Sequence, residues 1–189
     1  MKKWIKQEVS EWLRCSEDPI YFIKNYVKVF NFKDGSLVPF EMTEENEDDL
    51  KELVEENRID WQKPRQSGTT TKICSYILWQ VLFNEHQNVA VVGKTYDIRY
   101  HMMTKIRDIY EALPDFLKTS IKEQNKSKLV FDNESRILLS SVDSLRGLSI
   151  STVYVDQFHH LPDRDQQHLM AGIYPTLTSK SKLFLVTTG

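Results

Sequence analysis

Apolar side chains recur at helical spacing through the first thirty residues: Trp4, Ile5, Val9, Trp12 and Leu13, then Ile20, Ile23 and Val27. The pattern predicts two helices, the second opened by Asp18-Pro19, a capping acid followed by a proline at the first helical position. Asp34-Gly35 reads as a turn between two short extended runs, 27–32 and 37–40. Thr43 caps a further helix over 44–57. From there strands and helices alternate. Residues 58–62 read as a short strand and 70–83 as a helix carrying Ile73, Ile77, Leu78 and Val81. Residues 88–92 are a compact apolar strand, and 96–113 a helix ended by Pro114. Residues 128–132 and 136–140 form a hairpin about Asn133-Glu134. Residues 151–156 are a buried strand ending in a carboxylate, 164–174 a helix, and 182–187 the last strand.

Apolar strands alternating with helices specify an α/β fold: a mainly parallel sheet with helices on both faces, here preceded by N-terminal helices. In such sheets ligands bind beyond the carboxyl ends of the strands. Three polar features fall at that kind of end: residues 63–71, Asp156, and Thr187-Thr188-Gly189.

Residues 63–71 read Lys-Pro-Arg-Gln-Ser-Gly-Thr-Thr-Thr between a strand and an apolar helix. Laid on the phosphate-loop pattern G-x-x-x-x-G-K-[ST], Gly68 is the second glycine and Thr70 the magnesium-ligand hydroxyl. Thr69 stands where the lysine belongs, and Lys63 where the first glycine belongs. Ser67, Gly68, Thr69, Thr70 and Thr71 supply the backbone N–H groups that such a loop turns toward phosphate at a helix N-terminus. The same residues also fit a threonine-capped helix after a strand, which needs no ligand. The missing ammonium removes a charge-assisted contact worth roughly 1.5–3 kcal/mol; Lys63, folding back over the loop, and Arg65 are the candidates to restore it.

The strand ending at Asp156 has the form of a second magnesium motif, in which the carboxylate holds the metal alongside the loop hydroxyl. The next residue is Gln157, where a glutamate would activate the attacking water. An amide orients water but cannot take its proton. Arg146, in Ser144-Leu-Arg-Gly-Leu-Ser149, is a candidate sensor of phosphate or DNA backbone, and equally a surface arginine beside a turn glycine. His159-His160 lacks the spacing and partners of a metal site. Trp61, Tyr76 and Trp79 read as core.

The chain has 189 residues and a net charge of −2, so no global field draws it onto nucleic acid. Its densest charge run, Glu44 to Glu56, reads as the solvated face of a helix. No apolar run approaches a membrane span and the basic start is not a signal peptide. The two cysteines, Cys15 and Cys74, read as buried thiols of a protein in a reducing cytoplasm.

The ordered set resembles the N-terminal ATPase domain of the large terminase subunit of tailed bacteriophages, the DNA-packaging motor. Arg65-Gln-Ser-Gly-Thr-Thr-Thr71 is similar to that family's Arg-Gln-x-Gly-Lys-Thr-Thr loop. Leu113-Pro-Asp-Phe-Leu117 ends a helix after the second core strand, Arg146-Gly precedes the acid-tipped strand, and Leu185-Val-Thr-Thr-Gly189 resembles the coupling motif. The N-terminal Glu11-Trp12 and Tyr21-Phe22 helices resemble the lead-in. The resemblance implies a P-loop ATPase of the ASCE type, with a lead-in and adenine-side segment over 1–57 and a core over 58–189. It implies ATP and Mg2+ as ligands, with Arg65, Gly68 and Thr70 on the phosphates, Asp156 on magnesium, and Thr187 and Thr188 as coupling residues. Some terminases carry the loop lysine at the start of the motif, where Lys63 stands. The implied partners are double-stranded viral DNA, the portal, the small terminase subunit and further copies in a motor ring, in the host cytoplasm. Three departures are visible: Gln157, Glu45-Asn46 in place of an adenine-reading Tyr-Gln pair, and no nuclease domain after Gly189. Two readings follow, an ATPase domain with hydrolysis impaired by Gln157 and Thr69, and an inactive relic that docks with packaging subunits or DNA.

Overall fold

The structure, a computed structural model, describes residues 5–31 and 34–189. Expectations for Trp4 and Phe32 lie outside the described residues. Helices α1 (Lys6–Glu17) and α2 (Pro19–Tyr26) meet at Asp18, whose side chain accepts from the backbone N–H groups of Ile20 and Tyr21 at 2.8 and 2.9 Å. A short antiparallel pair follows, β1 (Lys28–Phe30) with β2 (Leu37–Pro39), and then α3 (Glu44–Glu55), started by the Thr43 hydroxyl accepting from Asn46 N–H.

Strand β3 (Arg58–Lys63) leads through residues 64–68 into α4 (Thr69–Phe83). Strand β4 (Asn88–Gly93) leads into α5 (Tyr96–Ala112), where the Thr95 hydroxyl accepts from Ile98 N–H. Strands β5 (Ile121–Asn125), β6 (Lys128–Phe131) and β7 (Arg136–Ser140) form an antiparallel run. Strand β8 (Thr152–Asp156), α6 (Asp163–Gln167) and β9 (Lys182–Thr188) complete the order.

The main sheet has seven strands in the order β3-β9-β8-β4-β7-β6-β5. The first five run parallel, which aligns the carboxyl ends of β3, β9, β8 and β4 along one edge. One face is covered by α4 and α5 together with the lead-in, whose Cys15, Phe22, Ile23, Leu50 and Leu53 share a core with Ile73, Ile77 and Tyr154. The other face packs Val92, Val153, Val155 and Leu185 against Phe158, Leu169 and Ile173.

Three elements differ from the sequence expectation. Strand β5 carries a single apolar residue, Ile121, among exposed polar ones; an edge strand gives no alternating signal when only its backbone is used. The helix expected over 164–174 is α6 followed by a π-helical turn, His168–Ile173, and a short helix at Pro175. The acidic run 44–56 is not simply a solvated face. Asp49 within it is buried, because two lysines neutralise it.

Candidate functional site

The loop after β3 lies against the end of β9: Arg65 N–H donates to the carbonyl of Gly189, and Gly189 N–H donates to that of Lys63, both at 3.1 Å. These two bonds join the phosphate-loop candidate to the Thr187-Thr188-Gly189 segment. Within the loop Gln66 and Gly68 have φ of 64° and 71°, the left-handed region. A β-carbon at Gly68 would sit in ordinary contact with the Phe40 ring at 3.4 Å, so it is the left-handed turn that calls for glycine. Thr69 opens α4 buried, its hydroxyl 2.7 Å from that of Ser67. Thr70 and Thr71 follow in the first turn.

Asp49 reaches this region from α3. One carboxylate oxygen lies 2.7 Å from Lys63 Nζ and the other 2.5 Å from Lys72 Nζ. Lys72 is fully buried, and Asp49 nearly so. The Lys63 ammonium also lies over the Trp61 ring, whose indole N–H donates to Glu52. Lys63 is therefore placed beside the loop with its charge engaged. Arg65 is exposed.

Asp156 ends β8 half-buried. Burial pushes its carboxyl above the ordinary aspartate range; the Tyr154 hydroxyl, donating at 2.8 Å, and the nearby His101 pull the other way. Among the described residues no lysine or arginine pairs with it. Its charge acts on the thiol of Cys74 in α4, which burial lifts to about 12. The parallel register of β3, β9 and β8 puts Asp156 on the same sheet edge as the loop that opens α4. A desolvated carboxylate and a hydroxyl are hard oxygen donors, the kind that magnesium takes.

Gln157 adopts a left-handed conformation, φ 57° and ψ 45°, of the type that concentrates at functional turns. Its amide donates to the Thr188 hydroxyl at 2.7 Å, and its carbonyl oxygen lies 3.0 Å from His160 Nδ1. The Thr187 hydroxyl accepts from His159 N–H at 3.0 Å, and the His159 ring pairs with Asp60 of β3. The two histidines thus diverge, and the β8 tip is tied to β9 through both threonines.

Arg146 is placed apart from these groups. Its Nε donates to His168 Nε2 at 2.8 Å, and His168 Nδ1 lies 2.9 Å from Asp143. It lines a cleft with Asn88, Ser151 and Ser181, which stand at the amino ends of strands.

Sequence reasoning missed two residues here. Asp49 is hidden inside a run of acids, and Lys105 of α5, whose Nζ donates to the Thr71 hydroxyl at 3.2 Å, belongs to no motif.

A mainly parallel sheet, a left-handed glycine loop opening a helix at its carboxyl edge, and an acid-tipped strand ending on that same edge define a phosphate-loop α/β fold. Residues 60–189 match the family described as terminase large subunit, T4likevirus-type, N-terminal. The chain belongs to that family. Among solved structures it is similar to the HK97 bacteriophage large terminase, with 14% identity, 91% of this chain and 37% of the other covered, and a TM-score of 0.65. It is similar also to the large terminase of a thermophilic bacteriophage in complex with ATP-gamma-S, with 14% identity, 78% and 38% covered, and a TM-score of 0.60. The ATPase domain of the Thermus phage P74-26 large terminase matches with 19% identity, 69% and 58% covered, and a TM-score of 0.52. The chain spans about two fifths of the length of the first two of these proteins. No helix among the described residues is long and apolar enough to cross a membrane.

Proposed function

We propose that this chain binds ATP with magnesium at residues 65–71 and Asp156 and acts as the ATPase domain of a DNA-packaging motor. Gly68 and the N–H groups of Ser67 to Thr71 take the phosphates, Thr70 and Asp156 hold the metal, and Thr187 and Thr188 carry the change of state to β9. Bound magnesium supplies charge neutralisation between the phosphates. The observation that carries the reading is the left-handed Gln66 and Gly68 loop opening α4 at the same sheet edge as the Asp156 carboxylate, which has no cationic partner among the described residues.

Arg65 is the exposed cation of the loop, and Lys63 reaches phosphate only by leaving Asp49. Gln157 holds water rather than deprotonating it, so turnover is slow. Arg146 shares its cleft with the opposite ends of the strands, so any phosphate or DNA backbone it reads comes from another copy or from the DNA itself. The partners of this activity are double-stranded viral DNA, the portal, the small terminase subunit and neighbouring copies in a ring, in the host cytoplasm. The second reading, a non-hydrolysing relic that docks with packaging subunits or DNA, is favoured by the Asp49 grip on Lys63.

Titration calorimetry with ATP, with and without magnesium, separates the two. Magnesium-dependent binding that Thr70→Ala abolishes is the expected result. No binding at millimolar ATP, with a packaging partner still captured, would establish the relic.

A further inference from the structure

The family's loop lysine has no counterpart at position 69, and the lysines nearest the loop in sequence are spent. Thr69 is buried and bonded to Ser67, while Lys63 and Lys72 are both held by Asp49. Lys105 differs from them. It projects from the middle of α5 to the first turn of α4, where its ammonium donates to the Thr71 hydroxyl. Among the described residues no carboxylate lies within ion-pairing distance of it. It lines a cleft of about 550 Å³ with Thr71, His101 and Phe40. Phe40 is the ring that packs against Gly68, and it also lines the neighbouring cleft formed with Asn46, Ser67 and Gly68. The Lys105 cleft therefore adjoins the loop. Its charge also acts on Cys74, the thiol that Asp156 acts on.

Resting on the phosphate-loop reading above, we propose that Lys105 contacts nucleotide phosphate, supplying from α5 the positive charge that position 69 lacks. Thr71 lies one residue beyond the metal-ligand Thr70, and the cleft opens toward Phe40 on the lead-in side. Both features set Lys105 at the α- and β-phosphates, away from the reacting end. Its role is binding rather than turnover. A cation on phosphate makes a charge-assisted hydrogen bond, the strong class, and its loss weakens binding about 10- to 100-fold.

The test is calorimetry of magnesium-ADP and magnesium-ATP on the whole chain, the Lys105→Gln and Lys105→Arg variants, and Thr70→Ala. Gln removes the charge and keeps a polar head on a side chain one bond shorter, while Arg keeps the charge. The expected result is a similar loss of ADP and ATP affinity in Lys105→Gln, substantial recovery in Lys105→Arg, and an unfolding midpoint without nucleotide that is unchanged in both. Unchanged affinities in Lys105→Gln, with magnesium dependence still lost in Thr70→Ala, overturn the role of Lys105 and leave the phosphate loop standing. A loss confined to ATP overturns its assignment to the α- and β-phosphates. No binding by the unaltered chain overturns both.

Discussion

Asp49 of α3 and Lys72 of α4 form an ion pair at 2.5 Å whose lysine has no exposure to solvent. The second oxygen of the same carboxylate holds Lys63. One acid from the lead-in thus fixes the strand before the phosphate loop and the helix after it. Removing one partner of a buried pair strands the other charge, at a cost of about 3–5 kcal/mol. Asp49→Ala is expected to lower stability by that order in urea denaturation, more than Lys63→Ala does. Asp49→Ala combined with Lys72→Met is expected to recover most of the loss. Equal losses in the single and double variants would show that packing, rather than the buried charge, sets the cost.

The same pair marks where the sequence stops being readable. Strands β3, β4, β8 and β9 and helices α4 and α5 are visible in apolar periodicity, and the loop, Asp156 and Gln157 in motif spacing. Their meeting at one sheet edge follows from parallel topology. Asp49 is one acid among several in a run that looks solvated; only the three-dimensional arrival of Lys63 and Lys72 singles it out. Lys105 is similar, since nothing local distinguishes a lysine pointing at Thr71 from one pointing at water. The tether from Gln157 to Thr188 spans 31 residues and depends on β8 and β9 being neighbours. Such pairings are fixed by tertiary geometry, which a motif does not encode.

Lys182 fixes the other end of α3. Its ammonium donates to the carbonyls of Leu53, Val54 and Glu56 at 2.8–2.9 Å, which are orphan acceptors at a helix C-terminus. Lys182→Met keeps an apolar side chain of similar length and deletes the three bonds, together with the ammonium's place over the Tyr76 and Phe184 rings. A loss of about 1–3 kcal/mol is expected from leaving such acceptors unpaired. Hydrogen exchange should locate the loosening in residues 50–56. Protection unchanged there would mean that Asp49 alone anchors the helix.

Burial raises the Asp156 carboxyl above its ordinary value of 3.8, which fixes the sign of a pH dependence. Between 3.8 and the raised folded value the unfolded chain binds fewer protons than the native one. Stability therefore falls as pH rises through that window, and at neutral pH the ionised group is a net cost. Asp156→Asn is expected to raise the thermal midpoint of the nucleotide-free chain at pH 7, with the difference vanishing below pH 3.8. It should also abolish the extra stabilisation that magnesium-ATP gives. A midpoint lower than that of the unaltered chain at pH 7 would mean that the carboxylate is satisfied within the protein and has no vacancy for a cation.

Gln157→Glu and Thr69→Lys restore the two departures separately, and the geometry ranks them. Glutamate at 157 keeps both tethers, accepting from the Thr188 hydroxyl and from His160 Nδ1, and inherits a left-handed backbone that glutamine already tolerates. General-base assistance contributes roughly 10²–10⁴-fold, so phosphate release at saturating magnesium-ATP is expected to rise by at least about tenfold, with little change in KM. Lysine at 69 must leave a buried position and break the hydroxyl contact with Ser67. Its gain is expected to be smaller and to appear in KM, because a cation from outside position 69 already serves the phosphates. A larger rise in turnover from Thr69→Lys than from Gln157→Glu would show that the charge at position 69, and not the base beyond Asp156, limits hydrolysis.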